Sequence, residues 1–355
     1  MFNPRHHHHH SSAAAALTPP QPPQSATLAT LSTTKKLLAN NKYTLYLNKL
    51  LGEGSFGKVY LGKINNDTNE LVAIKAEEQK HDYLCKESAI VKLLTSSSSS
   101  SSNAAVPVVG FSKFYWYGTD DGGKHKYLVC EALGKSLQEL LTKCGGSFSL
   151  KTVIMAGLQI LNRMEFLHQH HYIHRDIKPS NFLIGAAGKK NTIYIVDFGL
   201  SKEYCDKHGN HVEFVKHKSY VGTIRYMSVN CHKGVETSRR DDMFSYAYML
   251  FFLYYGNLPW QGVNDTDKKK RLKAIGALKA DFNKTPEKYF KNPTVPTSFS
   301  RILEYIYKMK FKQKIDYDRI REYLVADMIS HKYNYDFEWD WTKTTATTTT
   351  TTTTT

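Results

Sequence analysis

A chain of 355 residues, 41% of them hydrophobic, has the material for one large domain or two small ones, which argues against disorder throughout. The cysteines Cys85, Cys130, Cys144, Cys205 and Cys231 are scattered without any Cys-x-x-Cys pair. That pattern speaks against a disulfide framework or a zinc site and fits a reducing, intracellular compartment, cytoplasm or nucleus. The formal charge of +16 would draw the chain toward nucleic acid, anionic lipid or acidic and phosphorylated protein segments, and charge alone does not choose among them.

Residues 1–41 are biased toward His, Ala, Pro, Gln, Ser and Thr, a composition that cannot bury enough apolar surface to offset the entropy of ordering. His6 to His10 reads as an expression tag or a native homopolymer, with metal binding a lesser alternative, and the stretch lacks the apolar core of a signal peptide. Ser96 to Ser102 and the Thr-rich end after Lys343 read as a solvated insertion and a tail. Between them, strand-like patterns rich in Val, Ile and Tyr come first and helical patterns come after, which predicts an α+β body in two lobes.

The first motif is Leu51-Gly52-Glu53-Gly54-Ser55-Phe56-Gly57-Lys58-Val59, a Gly-x-Gly-x-x-Gly loop between strand-like stretches 44–50 and 58–62. Glycine lets backbone N–H groups approach phosphate oxygens. Alone the motif is weak, but Val59-Tyr60-Leu61-Gly62 reads as a strand where a dinucleotide-binding loop would open into a helix. Next comes the strand Val72-Ala73-Ile74-Lys75. A lysine closing a buried strand often only snorkels to the surface. Glu87, in a helical pattern over 85–94, offers it a partner that would hold its ammonium toward nucleotide phosphates.

The segment Tyr172-Ile173-His174-Arg175-Asp176-Ile177-Lys178-Pro179-Ser180-Asn181 is the most specific signal: an acid, a cation and a metal-competent amide within one loop. Phosphoryl transfer needs a hydroxyl oriented by a carboxylate, cations for the spreading charge, and a held metal ion. After it, a strand over 192–196 delivers Asp197-Phe198-Gly199, where a carboxylate can bind Mg²⁺. His168, His170 and His171 do not form a plausible metal cluster, since two are adjacent and cannot share a helical face; surface and packing roles are expected. The apolar run Met243 to Gly256 is too short to span a bilayer and predicts a buried helix.

These residues resemble the eukaryotic protein kinase family from about 41 to 341, and several details resemble its casein kinase I branch. Ser228-Val229-Asn230 stands where most protein kinases have Ala-Pro-Glu and is similar to the Ser-Ile-Asn of that branch. The runs 222–232, Ser238-Arg239-Arg240-Asp241-Asp242, Leu258-Pro259-Trp260-Gln261-Gly262 and 333–341 match it too, as does Leu133-Gly134-Lys135-Ser136-Leu137 with lysine in place of proline.

The resemblance implies a bilobal kinase domain over 42–342, with a β-rich N-lobe of one main helix (42–130), a hinge (131–134) and a helical C-lobe (135–342). It implies that Asp176 is the catalytic base, Asn181 and Asp197 bind Mg²⁺, Lys75 contacts the phosphates, Glu87 positions Lys75 and Lys178 stabilises the transferring phosphoryl group. ATP would lie beneath 51–59 (Leu51, Gly52, Glu53, Gly54, Ser55, Phe56, Gly57 and Val59) and against Ala73. Backbone groups of Glu131 and Leu133 would hydrogen-bond the adenine, with Cys130 as gatekeeper behind it.

Arg225, the backbone of Gly262 and Arg271 match an anion site of casein kinase I, with arginine at 271 where that family has lysine. This implies substrates with an acidic or phosphorylated residue before the target Ser or Thr; the alternative for 268–271 is a solvated helix start or a nuclear-import patch. Arg175 raises the option of activation by a loop phosphate at Ser201, Tyr204, Ser219, Tyr220 or Thr223. The resemblance implies constitutive competence instead, with Thr223 a structural partner near Asp176 and Lys178. A monomer without specific nucleic-acid binding is expected. A scaffolding pseudokinase is the alternative, but it would normally lack the Lys, catalytic Asp or metal Asp present here as Lys75, Asp176 and Asp197.

Overall fold

The computed structural model describes residues 34–343 apart from 55–56, 67, 69, 97–108, 121 and 291. The His run, the Ser tract beyond Ser96, the Thr-rich end, and Ser55 and Phe56 of the glycine loop therefore lie outside the described residues.

Alternation of apolar and polar residues builds the N-terminal lobe. Strands β1 (Lys35–Leu38), β2 (Tyr43–Gly54), β3 (Gly57–Ile64), β4 (Leu71–Glu78), β5 (Phe114–Thr119) and β6 (His125–Glu131) form one antiparallel sheet in the order β1-β2-β3-β4-β6-β5. Leu38, Tyr43, Leu45, Ile64, Val72, Ile74, Tyr127 and Val129 pack together as its core. The tail boundary at residue 41 is corrected: Lys35–Leu38 is a strand paired with Tyr43–Tyr46. Leu38 is buried there and Lys36 Nζ lies 2.5 Å from Asp120 Oδ2, contacts that composition alone does not reveal.

The lobe's helix, α1 (Tyr83–Ser96), starts earlier than the apolar pattern suggests because Glu77 Oε2 accepts the Leu84 N–H at 3.0 Å, satisfying a free donor of the first turn. After β6 the chain crosses to the second lobe along 132–136. Gly134 N donates to Ile184 O (2.8 Å) and Ile184 N to Lys135 O (3.0 Å), tying the linker to the strand beneath it.

The C-terminal lobe comprises α2 (Leu137–Lys143), α3 (Leu150–Gln169), β7 (Tyr172–Ile173), β8 (Phe182–Ile184), β9 (Ile193–Ile195), β10 (Lys202–Glu203), α4 (Val229–His232), α5 (Arg239–Tyr255), α6 (Lys268–Phe282), α7 (Thr297–Tyr307) and α8 (Tyr317–Ser330). Ser136 and Glu139 cap α2 reciprocally. Every residue from Met243 to Leu253 is buried, so α5 is apolar all round and runs through the core as expected. Gly256 ends it at φ 77°, a left-handed conformation that glycine adopts without a Cβ penalty. No helix among the described residues is long and apolar enough to cross a membrane. All five cysteines are free.

Candidate active site

Strand periodicity sends Val72 and Ile74 into the sheet core and Ala73 and Lys75 to the opposite face. There Lys75 Nζ lies 2.6 Å from Glu87 Oε2 on α1 and 2.8 Å from Asp197 Oδ1 just past β9. Glu87 uses its other oxygen to accept the Phe198 N–H at 3.2 Å, so one carboxylate spans both lobes. Burial opposes the charge on Lys75, but Glu87 and Asp197 outweigh it and hold the ammonium above the ordinary lysine range. Burial likewise opposes the Asp197 carboxylate, and Lys75 overcomes it, keeping Asp197 below its usual value. For Glu87 burial prevails over Lys75 and pushes the carboxyl up, with Asp197 adding to the rise.

The glycine loop closes the β2–β3 turn. Gly57 is demanded by the fold: at φ 130° a Cβ would lie 2.2 Å from Ala76 O. Gly52 and Gly54 are different, since among the described residues, their chain neighbours aside, no heavy atom lies within 4 Å of where their Cβ would be. Bare backbone answering no internal crowding fits an approach by phosphate oxygens. Leu51 and Glu53 are exposed, and Val59 pairs with both Gly52 and Lys75. Cys130 is opposite Ala73 in the β4–β6 register, behind the strand that carries Lys75, and burial pushes its thiol up. The Glu131 carbonyl already accepts the Ser112 hydroxyl at 3.1 Å, so an adenine amino group would share that oxygen. Leu133 makes no backbone hydrogen bond among the described residues, leaving its N–H available.

The loop 174–181 is held from below. Asp242, 2% exposed on α5, accepts the backbone N–H of His174 (2.7 Å, Oδ2) and of Arg175 (2.8 Å, Oδ1), and its Oδ2 lies 2.9 Å from His168 Nε2. Burial works against this carboxylate, yet His168 and the loop hold it below its usual range. The sequence motifs give Asp242 no role; the available signal is a second acid at the head of a helix that is otherwise apolar. His168 is thus a packing residue, and no group of three or more His, Cys, Asp or Glu among the described residues could hold a metal.

So anchored, Asp176 faces the activation segment. Its Oδ1 accepts both the N–H (2.9 Å) and the hydroxyl (2.7 Å) of Thr223, and Lys178 Nζ is 2.6 Å from its Oδ2. Gly222 makes this approach possible, because at φ 96° a Cβ would lie 2.3 Å from Arg175 O. Asn181 donates Nδ2–H to Asp176 O at 2.9 Å, which leaves its carboxamide oxygen as the atom able to bind a cation. With the second oxygen of Asp197, that makes a sparse, hard-oxygen donor set, which suits a divalent ion that retains waters and takes further oxygens from phosphates. Lys75, Glu87 and Asp197 thus form one contact cluster and Asp176, Lys178 and Asn181 a second, joined where Val196 N donates to Asn181 O at 3.0 Å.

Beyond the cleft, Ser228 Oγ (2.6 Å) and Asn230 Nδ2 (2.9 Å) donate to Asp241 Oδ1, while the Ser238 N–H donates to Oδ2 at 2.8 Å. The Ser-Val-Asn run thus clasps the activation segment to the head of α5. Arg225 lies over the Phe252 ring at 5.2 Å and gives its carbonyl to Trp260 Nε1 at 2.7 Å, which brings the 258–262 loop, with exposed Gly262, beside it. Arg271 is exposed on the first turn of α6.

Two lobes joined by a linker, with a lysine–glutamate–aspartate triad under a glycine hairpin and a braced carboxylate opposite it, define an ATP-dependent phosphotransferase. A family model described as protein kinase domain matches residues 45–333, and the chain belongs to the protein kinase family. Membership carries with it the use of ATP and a divalent metal.

Proposed function

We propose that this kinase is of the casein kinase I type and phosphorylates serine and threonine hydroxyls of proteins, using Mg²⁺ and favouring acceptors preceded by an acidic or phosphorylated residue. The observation that carries the reading is the pair of hydrogen bonds that Thr223 donates, from its N–H and its hydroxyl, to Asp176 Oδ1, with Lys178 on the other oxygen. It fixes a carboxylate beside the segment an acceptor would approach, so that the hydroxyl proton has a defined destination as the hydroxyl attacks phosphorus. Lys178 then balances charge on the phosphoryl group in flight, and Lys75 orients the nucleotide phosphates. Asn181 and Asp197 would hold the metal, whose chemistry when bound is to neutralise phosphate charge.

The Ser228–Asn230 clasp on Asp241 supports the casein kinase I assignment. Constitutive competence is in keeping with three cations near the loop having partners already: Lys202 (2.7 Å) and Lys218 (3.5 Å) meet Glu236, and Arg175 Nε donates to Leu200 O at 2.6 Å. The scaffold alternative lacks support, because Lys75, Asp176 and Asp197 are all present and in contact networks. Free cysteines fit an intracellular setting. The test is transfer from labelled ATP to matched primed and unprimed peptides by wild type, Arg225→Glu and Arg271→Glu. The reading expects the primed peptide to suffer selectively; equal losses on both peptides would remove the anion site from the account.

A further inference from the structure

Helix α6 turns a mostly polar surface to solvent, and only Ile275, Lys279 and Phe282 along it are buried. A fully buried lysine in that set is unexpected, since an ammonium loses its hydration there and an apolar side chain would pack at less cost. No carboxylate lies within ion-pair distance of Lys279 among the described residues. Its Nζ instead donates to Ile224 O and Met227 O, each at 2.7 Å, and stands 3.2 Å from His232 Nε2. The rings of Trp260 and Tyr248 flank it at 5.1 and 5.4 Å. Burial and the neighbouring Lys279 push His232 down to about 3, so the imidazole beside the amine is neutral, and burial pushes Lys279 itself well below the ordinary lysine range. Charged or neutral, the amine has an N–H for each carbonyl.

The two carbonyls straddle Arg225, whose own carbonyl is taken by Trp260 Nε1. They belong to the turn opened by Thr223, in which Tyr226 N (2.9 Å) and Met227 N (3.0 Å) donate to Thr223 O. Thr223 in turn contacts the carboxylate of Asp176. One buried amine therefore fixes the backbone between Asp176 and the helix that carries Arg271.

We propose that Lys279 is a positioning residue for the protein acceptor, holding turn 224–227 in the shape against which the acceptor chain docks and keeping α6 in register with Arg225. The inference rests on the proposed protein-substrate reading and gives it a residue that touches neither nucleotide nor acceptor. An apolar anchor could dock α6, but it could not grip two carbonyls at once.

Lys279→Met keeps the volume and removes the donors. KM for a primed peptide, an unprimed peptide and ATP, kcat and Tm are measured on the full chain. The proposal expects peptide KM to rise about tenfold, as for loss of one net hydrogen bond, while ATP KM stays within about twofold. Unchanged peptide KM, or a parallel rise in peptide and ATP KM with a collapsed Tm, would overturn it. If Lys279→Met does not fold, Trp260→Phe decides: it removes the Arg225 carbonyl bond and part of the ring wall beside Lys279, loosening the same turn, and must raise peptide KM in the same selective way. Equal rises for primed and unprimed peptides support the positioning role while rejecting the anion site, so the two readings fail separately.

Discussion

Replacing Asp242 by Asn tests how the catalytic loop is built, because it changes charge without changing size. The carboxylate accepts from two backbone N–H groups and contacts one imidazole, and it is 2% exposed. Asparagine must turn its NH₂ toward a donor, leaving at least one buried N–H without an acceptor. Hydrogen bonds to charged groups contribute about 1.5–3 kcal/mol each, and breaking a buried charged network costs about 3–5 kcal/mol. A loss of about 3 kcal/mol, divided by an unfolding entropy of about 2 cal/mol/K per residue over the described domain, lowers Tm by roughly 5 °C. Calorimetry reads this directly, and kcat should fall at least ~10-fold as Asp176 loses its support.

The pH dependence has a definite sign. The folded Asp242 carboxyl titrates below its unfolded value. Its contribution is therefore fully present above about pH 4, the unfolded carboxyl value, and is lost as pH falls through the folded value. The stability gap between wild type and Asp242→Asn should narrow on acidification in that window. An unchanged Tm together with unchanged kcat at neutral pH would refute the reasoning.

Lys75→Met leaves Glu87 and Asp197 without their shared cation, and kcat/KM should drop about 10²–10³-fold in a labelled-ATP assay while the domain stays folded. Gly222→Ala should cost activity as heavily as a direct lesion at Asp176, since the added methyl meets Arg175 O at 2.3 Å; a near-normal kcat would contradict the geometry. Asn230→Ala removes one of three donors to buried Asp241, whose carboxyl burial pushes up against those donors. About 1–3 kcal/mol of stability should be lost in denaturant titration.

Local chemistry made much of the site readable in the sequence. A strand that carries Lys75, a glycine hairpin and two short acidic motifs each carry their geometry within a few residues, so their convergence was expected; the strand itself runs on past the expected end at Lys75 to Glu78. Long-range pairing is harder to read. Strand β1 hides in a low-complexity tail because its partner β2 and the Lys36–Asp120 contact supply what its composition lacks. Asp242 is silent for the same reason: two of its three partners are backbone N–H groups, which have no side-chain signature, and the third, His168, is far away in sequence. Lys279 stands in a basic run, and only burial separates it from the solvated lysines around it.

The central claim is that Asp176 and Asp197, brought to one cleft, direct phosphate onto a protein hydroxyl. Incorporation of label from γ-labelled ATP into casein, with identification of the modified residue, measures it most directly on wild type, Asp176→Asn and Asp197→Asn. The account predicts phosphoserine and phosphothreonine with wild type and a loss of at least ~10²-fold with either variant. Equal labelling by all three proteins would contradict it.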